Sequence, residues 1–80
     1  MILYLLRQNS TNKYYIGITS NIERRLSEHN LNTSHYTGKQ GNNWILVGYK
    51  DLTETDARKE EKRLKKAKNK KYIDWYFASA

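Results

Sequence analysis

The chain has 80 residues, 38% of them hydrophobic, with no cysteine and no proline. That suffices for a single domain, 1–80, with a small core, and it excludes a disulfide framework or a thiolate zinc site, in keeping with a reducing cytoplasm. The net charge is +7, and all of the excess lies from Arg58 to Lys71, where nine Lys or Arg stand against two Glu; such a segment is either a solvated helix or an electrostatic footprint for a polyanion.

The opening "MILYLLRQN" has an apolar run too short for a signal-peptide core, and nothing after it approaches a membrane span, so no membrane partner is expected. "ILYLLR" (Ile2–Arg7) and "YYIGIT" (Tyr14–Thr19) are apolar and aromatic runs separated by the turn formers "QNSTNK", which predicts an antiparallel hairpin. Alternation puts Ile2, Tyr4 and Leu6 on one face of the first strand, and Tyr15, Gly17 and Thr19 on one face of the second. Both strands are apolar on both faces, so the sheet should be covered on both sides.

"SNIE" (Ser20–Glu23) has the form of a capping box, with Ser20 as the cap. The helix that follows, "IERRLSEH", should end near Asn30–Asn32, because Asn tolerates the left-handed conformation. "NTSHYTGKQGNN" reads as a loop and "WILVGYK" (Trp44–Lys50) as a third strand, with Trp44 in the core. "TETDARKEEKRLKKAKNKK" is a second helix opened by Thr53 or Thr55, with Ala57, Leu64 and Ala67 as a thin apolar stripe. "KYIDWYFA" reads as a third helical segment that packs Ile73, Trp75 or Phe77 on the sheet. The expected fold is α+β, a small three-stranded antiparallel sheet flanked by helices in the order β-β-α-β-α-(α).

The first helix carries an oddity. Its inward stripe, Ile22 and Leu26, also carries Arg25 and His29, four residues apart on adjacent turns. The hairpin can aim Tyr4 and Tyr15 at a common point. Two phenols, a guanidinium and an imidazole lack a strong nucleophile, but they are suited to moving protons and holding anionic oxygens. Taken singly, each has an ordinary structural explanation: strand packing for the tyrosines, a snorkelling side chain for Arg25, a dipole-favoured C-terminal cation for His29. Tyr14 and Arg24 keep those ordinary explanations.

At these residues the chain resembles the GIY-YIG nuclease family, in particular its short stand-alone UvrC-type bacterial members. The resemblance is carried by "ILY" at Ile2–Tyr4, "YIG" at Tyr15–Gly17 and "RLSEH" at Arg25–His29, and it extends from Ile2 to about Tyr72. The first triplet has Ile and Leu where the family name has Gly and Ile, but Tyr4 is kept. The resemblance also implies an acidic metal ligand on the helix after the third strand, and "ARKEEKRLKK" places that role on Glu61. At about 100° per residue, Glu61 and Glu60 flank the apolar stripe on opposite sides, so geometry alone leaves Glu60 open. Asn69 matches a further family position poorly.

What the resemblance implies is a metal-dependent endonuclease that hydrolyses phosphodiester bonds in DNA, with Tyr4, Tyr15, Arg25, His29 and Glu61 as catalytic residues. Glu61 would hold one Mg²⁺ or Mn²⁺, Tyr4 would orient or deprotonate the attacking water with support from Tyr15 and His29, and Arg25 would hold the phosphate. An unperturbed tyrosine is a weak base at neutral pH, and Arg25 and the metal are expected to lower the pKa of Tyr4. Gly17 would allow close packing beside the reaction centre. Lys62, Arg63, Lys65, Lys66 and the loop residue Lys39 are candidate phosphate contacts, and His35, Tyr36 and Gln40 could line a groove. The DNA is single- or double-stranded; a protein partner or a homodimer fits a chain with little room for sequence readout. The alternatives are a nucleic-acid-binding module of the same fold that does not cleave, and an interaction domain using the aromatic tail.

Overall fold

The computed structural model describes residues 1–8, 11–30 and 44–78. Three strands, β1 (Ile2–Gln8), β2 (Tyr14–Thr19) and β3 (Trp44–Asp51), form one antiparallel sheet in the order β2-β1-β3. Helix α1 (Ile22–Asn30) follows β2, and α2 (Glu54–Ala67) and α3 (Lys70–Ala78) follow β3. The fold is the expected α+β arrangement, with the final segment a full α-helix.

The first strand is central, which is why both of its faces are apolar. Leu3 and Leu5 join Ile16, Leu64, Ile73 and Phe77 in one buried cluster, under α2 and α3. Tyr4 and Leu6 join Trp44 in a second, with Tyr15, Ile22, Leu26 and Leu46 packed around it. The sheet is thus covered on both faces, and the Tyr4 side lies beneath α1.

A bulge in β3 decides which of its residues serve which face. Leu5 pairs with Gly48 and Leu6 with Leu46, so Val47 is an extra residue. An inserted residue reverses the inside–outside alternation along a strand. Trp44 and Leu46 therefore face the Tyr4 side, whereas Gly48 lies against Phe77 of α3: a Cβ on Gly48 would stand 2.9 Å from the Phe77 Cβ.

The helix ends correct the sequence reading in two places. Asn21, not Ser20, caps α1: its Oδ1 accepts the Arg24 N–H at 3.1 Å. Helix α1 ends at Asn30, within the expected Asn30–Asn32, and Asn30 itself is not left-handed, since the left-handed non-glycine residues among those described are Asn12 and Lys68. Instead the Asn30 side chain accepts the Trp44 N–H at 2.9 Å and donates to the Trp44 carbonyl at 3.1 Å. This two-way clasp ties the end of α1 to the start of β3; Asn32 lies outside the described residues. Thr53 caps α2, accepting the Asp56 N–H, and Lys68 ends it with φ 53°. Ala57 and Leu64 are fully buried, but Ala67, in the last turn before that left-handed residue, is exposed. Asn69 has a local role, its Oδ1 accepting the Tyr72 N–H at the start of α3. Tyr14 donates to Asp74 Oδ1 at 2.7 Å and so ties β2 to α3.

Candidate active site

Register brings the tyrosines together. Tyr4 lies opposite Gly17 across the β1–β2 pair, and Tyr15 is two residues from Gly17 on the same face. Gly17 leaves the space that the Tyr4 ring fills: a Cβ there would stand 2.6 Å from the Tyr4 hydroxyl and 3.0 Å from the Tyr15 ring. The close-packing role expected for this glycine is what the structure has. The two phenol rings are 6.2 Å apart between centroids.

From above, α1 lowers His29 and Arg25 onto this pair. His29 is fully buried; its Nε2 lies 3.1 Å from the Tyr4 hydroxyl, and its ring stands edge-on to Tyr15 at 4.8 Å. Arg25, one turn earlier, is half-buried. It sits beside the two phenols and forms an ion pair with Glu28 at 3.3 Å. Its interactions with these oxygens, that with Tyr4 above all, hold its pKa above the usual guanidinium range.

Tyr4 and His29 also depart from their ordinary titration. Burial pushes the Tyr4 phenol up to about 12; the Arg25 hydrogen bond and charge act the other way and are outweighed. Arg25 thus acts in the expected direction, but burial decides the net shift. Burial, reinforced by the positive charge of Arg25, lowers His29 to about 4. At neutral pH the resting cluster is therefore a neutral phenol bonded to a neutral imidazole, next to a guanidinium. Which of the two donates is set by the imidazole tautomer.

The structure separates the two carboxylates of α2. Glu60 is turned toward α3, where it forms an ion pair with Arg63 and bonds to Tyr76, and the Arg63 hydrogen bond keeps its pKa low. Glu61 is on the tyrosine side. Its negative charge is felt at Tyr4, and its partner Lys65, 3.2 Å away, stands 5.8 Å from the centre of the Tyr15 ring. Among the described residues no three His, Asp or Glu side chains converge as a metal cluster. A lone carboxylate is a hard oxygen donor. It suits Mg²⁺ or Mn²⁺, which keep several waters and take other ligands from phosphate oxygens, and it does not suit a protein-caged zinc.

The basic residues do not form one stripe. Lys65 joins the tyrosine cluster, Arg63 turns to Tyr72 on α3, and Lys62 and Lys66 are exposed. Lys39, His35, Tyr36 and Gln40 lie outside the described residues. The sequence reading missed Glu28 as the partner of Arg25, although an acidic residue three positions on along a helix is a signal for such a pair.

The small antiparallel sheet buries a Tyr–His pair under a capped helix, with Arg25 at its margin. Residues 1–73 match the family model of the GIY-YIG catalytic domain. The chain belongs to the GIY-YIG family, and membership implies a nuclease-type function with DNA as substrate; nucleases of this family generally use divalent metal ions. No curated protein and no solved structure matches the chain.

Proposed function

We propose that this protein is a metal-dependent DNA endonuclease of the short stand-alone UvrC-type group, a single domain acting in the cytoplasm, in which Tyr4, Tyr15, Arg25, His29 and Glu61 form one active site. The observation that carries this reading is that the Tyr4 hydroxyl meets His29 Nε2 at 3.1 Å and the same imidazole stands against Tyr15 at 4.8 Å, with Arg25 of the same helix beside both phenols. Packing alone would not place a guanidinium and an imidazole over two strand tyrosines, because each costs free energy to desolvate. No helix among the described residues is long and apolar enough to cross a membrane.

Glu61 would hold a Mg²⁺ or Mn²⁺ ion, which when bound would supply positive charge to stabilise the negative charge that develops during hydrolysis. Arg25 is half-exposed, so a scissile phosphate reaches it before it reaches Tyr4. The guanidinium takes the non-bridging oxygens with charge-assisted bonds. As Arg25 turns to the phosphate, the phenol oxygen opens to water. Tyr4 orients that water, and its hydrogen bond with His29 Nε2 holds the phenol in place. Tyr15 holds the other edge of Arg25 and of the imidazole. Lys62, Arg63, Lys65 and Lys66, with Lys39 from the loop, contact flanking phosphates.

A second reading is a nucleic-acid-binding module without cleavage, alone or recruited by a partner or as a homodimer. The burial of Tyr4 and the pairing of Glu61 with Lys65 favour it. A panel of labelled single-stranded, duplex and branched DNA and RNA, incubated with Mg²⁺ or Mn²⁺, separates the two. Nicking that falls to the metal-free level in Glu61→Ala and persists in Glu60→Ala supports the endonuclease; binding without cleavage across the panel supports the module.

A further inference from the structure

We propose that the outer face of α3 is a second nucleic-acid contact, a platform on which an unpaired base of a single strand stacks, on the opposite side of the sheet from Tyr4. This rests on the reading of the protein as one that acts on DNA.

The chain has two tryptophans, and they are used differently. Trp44 is in the core at 4% exposure, whereas Trp75 is 61% exposed. The difference follows from helix geometry. Ile73 and Phe77, four residues apart, occupy the face of α3 that packs on the sheet, and Trp75, two residues from each, is forced to the other side. A lone exposed indole would need no explanation, but Trp75 is not alone. Its ring stacks on Tyr72, with centroids 5.8 Å apart and planes 30° apart. Arg63 of α2 bonds to the Tyr72 hydroxyl and lies over the Tyr72 and Tyr76 rings at 5.4 and 5.5 Å. Lys50 of β3 sits 3.9 Å from the centre of the Tyr76 ring. Lys71, one turn before Trp75, is exposed.

These contacts make a pre-set platform. Cations hold the neighbouring rings in place, and most of the indole stays open. Charge chooses the occupant. All of the excess positive charge lies from Arg58 to Lys71, the segment that leads into and opens α3. A single strand matches this surface on both counts, offering phosphates to the cations and a base π-face to the indole.

The second helix connects the platform to the tyrosine cluster. It carries Arg63 over Tyr72 on one side and Lys65 near Tyr15 on the other, with Lys62 and Lys66 exposed. A helix is about 10 Å across, so a strand passing over α2 spans it with roughly two or three nucleotides.

The test is fluorescence anisotropy of the full chain with a labelled oligothymidine of about 12 nucleotides and with a duplex of the same length, in EDTA so that no cleavage occurs. Trp75→Ala is expected to weaken single-strand binding about tenfold and duplex binding less than about twofold, and Trp75→Phe to restore most of the loss. Circular dichroism of each variant checks that it folds, which an exposed position should permit. Unchanged single-strand affinity in Trp75→Ala would overturn the proposal, as would equal losses on single strand and duplex. Lost self-association in sedimentation with unchanged oligonucleotide affinity would overturn it too and assign the face to a protein. Because the measurement is made without metal, an absence of nicking leaves this result standing, and an unaffected Trp75→Ala leaves the endonuclease reading standing.

Discussion

The Tyr4 hydroxyl and His29 Nε2 lie 3.1 Å apart, joined across 25 residues of sequence, and both side chains are buried. A buried bond of this kind is costly to half-remove, because the remaining partner loses both water and its mate. Tyr4→Phe keeps the ring and deletes only the oxygen. It is expected to destabilise the fold by about 1–3 kcal/mol in urea denaturation, and to abolish nicking under conditions where the variant is still folded.

Gly17→Ala tests the geometry from the opposite strand. The added methyl would stand 2.6 Å from the Tyr4 hydroxyl, and that ring is held by His29 and by the core around it. Overpacking at such a site costs about 1–3 kcal/mol. Lower denaturation midpoints together with a weakened Arg25–tyrosine cluster are expected; a variant as stable and as active as the parent would show that Tyr4 can move freely.

His29 makes a pH prediction whose sign is settled by the direction of its shift. Its folded pKa is lowered to about 4 from 6.5, so between those values the unfolded chain binds the extra proton and the folded chain does not. Stability is therefore fully present above pH 6.5 and falls as the pH drops toward 4. Glu60, also lowered, contributes in the same direction at the acid end. The His29 part amounts to about 2–3 kcal/mol at most. Urea midpoints at pH 4.5, 5.5 and 7 should show the slope in the parent and a flatter one in His29→Gln.

The cap of α1 separates two adjacent residues. Asn21→Ala removes the acceptor of the Arg24 N–H and should cost about 1 kcal/mol, whereas Ser20→Ala should stay within about 0.5 kcal/mol of the parent. Thermal unfolding of the two variants side by side checks it. Equal losses would return the cap to Ser20.

Much of the fold was legible because it is written in local chemistry. The apolar and aromatic run from Tyr14 to Thr19 set out β2, Thr53 or Thr55 announced α2, and the Tyr-Ile-Gly and Arg-x-x-x-His motifs, through the family resemblance, pointed to four side chains that the folded sheet and helix bring near one another. The strand and the helices need only local periods and caps; the choice of the four side chains rests on the resemblance. What the sequence could not decide depends on neighbours distant along the chain. Glu60 and Glu61 are equivalent by periodicity, and only the placement of Arg63, Tyr76 and Tyr15 around α2 separates them. The bulge at Val47 divides β3 between two faces, which no alternation of Trp44 to Lys50 reveals. The Tyr4 pKa went the opposite way from a pairwise argument because desolvation is a property of everything packed around a group, and Arg25 is only one neighbour. The sequence by itself determined which side chains are present and at what period they recur; the tertiary structure decided which of them lose water, and with that loss the charge each one carries.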